Sequence, residues 1–163
     1  MKLKSIKKLN KGFTLIELLV VIGILAILLA ITLIAINPAR QFAQANDTKR
    51  RSDVNAILNA IGQYQTDQKG ALPGDQPNPA NNEITTTAKP ISAAGANLCS
   101  YLVTTYIAGL PTDPTSTAGG TPVAPCNGTY VTGYTVVKSA SDNRVTVSAT
   151  GQIDPTTPIA VTR

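Results

Sequence analysis

GFTLIELLVVIGILAILLAITLIAI, residues 12–36, decides the architecture of this chain. From residue 18 to residue 36 the run has no charge and is interrupted only by Gly23 and Thr32. Rising about 1.5 Å per residue, a helix of that length spans roughly 28 Å, the hydrocarbon thickness of a bilayer. It can cross a membrane. Ahead of it stand Lys2, Lys4, Lys7, Lys8 and Lys11. Cations are retained on the cytoplasmic side, so the N-terminus is expected inside and everything after Ile36 outside.

The same lysines explain the overall charge. A formal +5 would ordinarily suggest an acidic partner such as nucleic acid, but five of the fourteen Lys and Arg precede Gly12. Without residues 1–12, nine Lys and Arg face nine Asp and Glu, so the basic character belongs to a leader and not to the working surface. The cations left in the C-terminal part, Lys69, Lys89, Lys138, Arg144 and Arg163, are scattered in sequence, and nucleic acid is not an expected partner. The 163 residues lose about two dozen to the apolar segment, leaving a globular part too small for a large catalytic cleft.

Asn37-Pro38 follows the apolar run, and proline removes an amide donor and crowds the preceding turn, so the helix must kink or stop there. The pattern beyond favours a kink at Pro38. Up to about Gln68, Val54, Ile57, Leu58, Ile61 and Tyr64 recur at helical spacing among Asn and charged residues, giving one apolar face. A helix apolar all round thus becomes apolar on one stripe, passing from lipid or other helices to the flank of a soluble domain. Lys69-Gly70 ends it.

Residues 71–97 are rich in Pro, Asn, Thr and Ala and are expected to form an irregular loop, followed by a short helix over residues 98–110. Strand signals begin at residues 130–138, turn at Ser141-Asp142-Asn143, and continue through residues 144–150, where Val145, Val147 and Ala149 alternate; an edge strand at residues 159–162 could follow Asp154-Pro155. The expected fold class is α+β: a long N-terminal helix whose amphipathic half packs on a small antiparallel sheet. Four segments result: a leader, 1–12; a membrane or filament-core helix, 13–36; an amphipathic continuation, 37–69; and a head, 70–163.

The run Gly12-Phe13-Thr14-Leu15-Ile16-Glu17, preceded by lysines and followed by Leu18-Leu19-Val20-Val21-Ile22, resembles the processing signal of type IV pilins and pseudopilins. The resemblance implies the pilin fold and a cut between Gly12 and Phe13 by prepilin peptidase, which also N-methylates the new amine of Phe13. It implies insertion in the inner membrane and then, with the assembly machinery there, polymerisation of identical subunits into a helical filament. That filament would be a surface pilus or a periplasmic secretion pseudopilus. Arg50-Arg51-Ser52-Asp53, Tyr64, Asp67 and Leu72-Pro73 are similar to the helix end of the major pseudopilin of type II secretion, and Leu110-Pro111-Thr112-Asp113-Pro114 to its loop. In pilins the Glu equivalent to Glu17 pairs with the N-terminus of a neighbouring subunit. A carboxylate at the edge of a membrane segment costs on the order of 2 kcal/mol or more to insert and normally has a partner, and cleavage creates one in the Phe13 amine.

Cys99 and Cys126 lie in an exported region and are expected to form a disulfide. The loop carboxylates Asp113, Asp142 and Asp154 are the residues that could hold calcium, as in some major pseudopilins, with turn formation the plainer role. With no His and only two Cys, tetrahedral zinc is not expected, nor is any other cofactor. Asn46-Asp47-Thr48 and Asn127-Gly128-Thr129 match the N-glycosylation pattern. No nucleophile beside a base, phosphate loop or paired carboxylates points to an enzyme. DNA uptake or adhesion is the remaining alternative to a structural filament.

Overall fold

In the computed structural model the described residues are 12–75 and 83–163; residues 1–11 of the expected leader and the middle of the expected 71–97 loop lie outside them. The chain divides into two compact units, Met1–Gln41 and Phe42–Arg163.

The first unit contains helix α1, Leu15–Ile36. Its leucines, isoleucines and valines surround the axis, and none of its residues is buried. So uniform an apolar surface is stable only in lipid or against other helices. The helix does not bend through Pro38 as a single kinked rod. It stops: Asn37 takes a left-handed conformation (φ 46°, ψ 78°), and Pro38 is the first residue of helix α2, Pro38–Asp67. Asn tolerates that conformation better than most residues, and proline at a first helical position sacrifices only an N–H that would be unpaired anyway. The Asn37 carbonyl accepts from the Arg40 and Gln41 amides at 3.1 and 3.4 Å and starts the second helix. At the other end Lys69 (φ 55°) and Gly70 (φ 96°) turn the chain out, the Gly70 amide returning to the Gln65 carbonyl at 2.7 Å.

In the second unit, α2 lies over an antiparallel sheet of order β1-β2-β3-β4: β1 Lys89–Ser92, β2 Val131–Lys138, β3 Val145–Ala149 and β4 Ile159–Thr162. Val54, Ile57, Leu58 and Ile61 of α2 share one buried cluster with Tyr134 and Val136 of β2 and with Val145, Val147 and Ala149 of β3. Burying each of the four helix side chains contributes about 1.5–3 kcal/mol. The alternation along β3 is the one its sequence displays, so the hairpin and the Ile159–Thr162 edge strand form where expected.

Two segments differ from their sequence expectation. Within the presumed 71–97 loop, β1 pairs with the edge of β2 and buries Ile91 completely. It is only four residues long and contains Pro90, which an edge strand tolerates because the missing N–H need not pair on the solvent side. In residues 98–110 the helix α3, Cys99–Leu102, lasts a single turn. Thr104 then adopts φ 73°, and its amide bonds the Ile107 carbonyl at 2.8 Å, folding the β-branched Thr104-Thr105 pair into a turn.

Candidate functional site

The segment Gly12 to Glu17 leads into α1. Gly12 and Phe13 are exposed, and a Cβ added at Gly12 would meet nothing within 4 Å. Thr14 caps the helix in extended backbone conformation, and Glu17 closes a capping box upon it. The Thr14 amide donates to Glu17 Oε2 at 2.8 Å, the Thr14 hydroxyl donates to the same oxygen at 2.7 Å, and the Glu17 amide donates to Thr14 Oγ1 at 3.3 Å. Two otherwise unpaired amides are thereby satisfied reciprocally.

Three bonds fix where Glu17 points. Its carboxylate folds back over the helix start, onto Thr14. Among the described residues no donor reaches Oε1, so one oxygen is used within the chain and one is open to a donor from outside. Glu17 stands out in the sequence by its charge, and its bond to Thr14 is legible there too, since Thr-x-x-Glu before an apolar run is the signature of a capping box.

A second polar constellation lies within the head. Arg50 of α2 is 4% exposed; its Nε and Nη2 donate to the two oxygens of Asp113 at 2.7 and 2.9 Å, its Nη1 to Asp47 at 2.8 Å, and Nη2 also to Thr115 Oγ1 at 2.8 Å. Asp47 in turn accepts the Gln152 and Ile153 amides at 2.7 and 3.0 Å. One arginine therefore ties α2, the loop before β2 and the loop after β3 together. Burial alone would push both carboxyls up; the bonds from Arg50, Thr115 and the Gln152 and Ile153 amides outweigh it and hold Asp113 and Asp47 below the usual carboxylate range. Gly133, at φ 85°, permits this closeness, since a Cβ there would stand 2.7 Å from that of Asp113.

One turn along, Asp53 accepts the Tyr134 hydroxyl at 2.8 Å and pairs with Lys49 at 3.0 Å. Burial, then the bond to Asp53, raises the Tyr134 phenol far above its ordinary value. These groups are saturated by one another, an arrangement suited to holding the head together. Cys99 on α3 and Cys126 in the loop before β2 are joined with their Cα atoms 5.6 Å apart.

The three loop carboxylates do not converge. Asp113 is engaged by Arg50, Asp154 accepts the Thr156 amide at 3.0 Å, and Asp142 accepts the Arg144 amide at 3.3 Å; among the described residues no three His, Cys, Asp or Glu form a metal cluster. Of the scattered cations, the sheet brings Lys138, Arg144 and Arg163 to one end. Lys138 is paired with Val145, and Arg163 exchanges both backbone bonds with Val145. Arg163 donates to Asn59, and Arg144 lies 3.6 Å from Asp142, which reduces the positive field they could present.

Compared with known proteins, residues 7–33 match the model of the prokaryotic N-terminal methylation motif, the prepilin-type signal of type IV pilins and pseudopilins. The matched stretch contains Gly12, Phe13, Thr14 and Glu17 and most of α1. No curated protein and no solved structure matches the chain.

Proposed function

We propose that the chain is the structural subunit of a type IV pilus-like surface filament, cut between Gly12 and Phe13 by prepilin peptidase, N-methylated on Phe13 and polymerised through α1. The observation that carries this reading is the continuity of the methylation motif with α1, a helix apolar on every side and without a buried residue. Lipid satisfies such a helix before assembly and neighbouring copies of it satisfy it afterwards. Packing one apolar helix against others in lipid gains little from the hydrophobic effect, so association depends on close packing and polar pairing. The polar pair on offer is the open Glu17 oxygen and the Phe13 amine of the next subunit.

A secretion pseudopilus is the second reading, favoured by the helix-end residues Arg50-Arg51-Ser52-Asp53 and Leu72-Pro73. The disulfide and the Thr-rich loops favour a displayed pilus. Electron microscopy of cells with and without the gene separates the two: a pilin gives long filaments that vanish on deletion, whereas a pseudopilin gives none and its loss blocks secretion. Mass spectrometry of the subunit tests both at once. A mature chain retaining Met1, or beginning beyond Ala35, would overturn either.

A further inference from the structure

We infer that Asn127 is a self-modification site, where the side-chain amide cyclises onto the Gly128 backbone and hydrolyses to a carboxylate as the protein ages. Asn127-Gly128 is the one Asn-Gly pair in the sequence. It lies in the loop joining Cys126 to β2, where residues 124–129 are all exposed and carry no regular structure. Neither the Asn127 side chain nor the Gly128 amide takes part in a hydrogen bond among the described residues. A Cβ added at Gly128 would meet nothing within 4 Å, so the approach to its nitrogen is open.

Those are the requirements of the reaction. The Gly128 nitrogen attacks Cγ of Asn127 and gives its proton to water, water returns a proton to Nδ2, and the Cγ–Nδ2 bond breaks so that ammonia leaves and a cyclic imide closes. Water then opens the ring at one of its two carbonyls. Attack at Cγ gives aspartate, and attack at the backbone carbon gives isoaspartate, with the main chain rerouted through Cγ. No redox partner is needed. A side chain on the following residue crowds the attack, and a hydrogen-bonded amide or helical backbone disfavours the geometry, so glycine in a free loop is the favoured setting.

The other described asparagines fail on one count or another. Asn37 precedes Pro38, which has no N–H to attack with. Asn46 and Asn55 lie within α2 with their amides donated to Gln152 and to the Arg51 carbonyl, both at 2.8 Å. Asn59 is helical and bonded by Arg163. Asn97 accepts the Tyr130 hydroxyl at 2.8 Å, and the amide following Asn143 is donated to Asp142. Conversion at Asn127 adds one negative charge to each copy at a place where no packing is disturbed.

The test is peptide mapping of the full chain, purified in detergent and aged at mildly alkaline pH. Reduced peptides spanning Cys126 to Tyr130 are resolved into Asn, Asp and isoAsp forms. Conversion is expected to be faster at Asn127 than at every other described asparagine, and to slow several-fold in Gly128→Ala, whose added methyl meets no neighbour and leaves the melting curve unchanged. Equal rates at Asn127 and the helical asparagines, an unchanged rate in Gly128→Ala, or a glycan occupying Asn127 Nδ2 in freshly purified protein would each overturn the proposal.

Discussion

Replacing Arg50 by Met keeps most of the aliphatic volume and removes the guanidinium. Arg50, Asp47 and Asp113 are 4%, 7% and 9% exposed, so the change leaves two carboxylates in a region water scarcely reaches. Breaking a buried pair by removing one partner costs about 3–5 kcal/mol. Asp47 keeps two backbone amides, and Asp113 keeps the Thr115 amide and hydroxyl at 2.7 and 2.6 Å, which places the expectation at the lower end. A loss of about 3 kcal/mol lowers the midpoint of a domain of this size by about 10 °C. Near-UV circular dichroism of the full chain in detergent micelles reads the melting of the head through its tyrosines. Asp113→Asn in the Arg50→Met background should recover part of the loss, because it neutralises an orphaned charge. pH supplies a second axis. Both carboxyls are held below the ordinary value of about 3.9, so their stabilisation is complete above it and is lost as pH falls through the lower folded values. The variant lacks the share of that contribution that Arg50 supplies, so the gap between its melting point and that of the native chain should narrow as the solution is acidified. A midpoint lowered by less than about 3 °C at neutral pH would refute the linchpin role of Arg50.

Glu17→Gln should leave cleavage and membrane insertion intact and sharply lower filament yield, as should Glu17→Ala, whereas Asp67→Asn should be tolerated; normal filament numbers with Gln would leave shape packing alone to drive assembly. Gly12→Val should accumulate full-length precursor in membranes, visible by immunoblot, while native filaments should yield a peptide beginning with N-methylated Phe13. Tyr134→Phe withdraws a hydroxyl from buried Asp53, which keeps Lys49, and should cost about 1–2 kcal/mol at neutral pH. Because the Tyr134 phenol is raised in the folded state, its contribution is complete below the ordinary tyrosine value of about 10 and falls as pH rises above it, so the Phe variant should lose less stability in alkali than the native chain.

Much of this molecule is legible in one dimension because its signals are local. The apolar run, the leader lysines and the Gly-Phe boundary lie within 36 residues, and the alternation of Val145, Val147 and Ala149 needs only its own strand. Arg50 and Asp113 are 63 positions apart, and nothing near either announces the other. β1 is not legible in the sequence because a four-residue strand with a proline has almost no pattern of its own; pairing with the edge of β2 and burial of Ile91 in the core make it a strand. The helix expected over residues 98–110 ends at Leu102 because the chain reverses at Thr104, where the Thr104 amide bonds the Ile107 carbonyl and the Tyr106 and Ile107 amides return to the Leu102 carbonyl.

The single left-handed residue between α1 and α2 has a mechanical meaning. A continuous helix resists axial load cooperatively, each turn tied to the next by backbone bonds. At Asn37 that ladder has a missing rung: Pro38 has no N–H to contribute, and the residue before it has already left the helical conformation. Tension along the N-terminal segment therefore meets fewer backbone bonds there than within either helix. A rope whose strands are spliced at one defined knot stretches at the knot first, and in this chain the knot lies well ahead of Arg50 and the disulfide, which can keep their geometry while the splice gives.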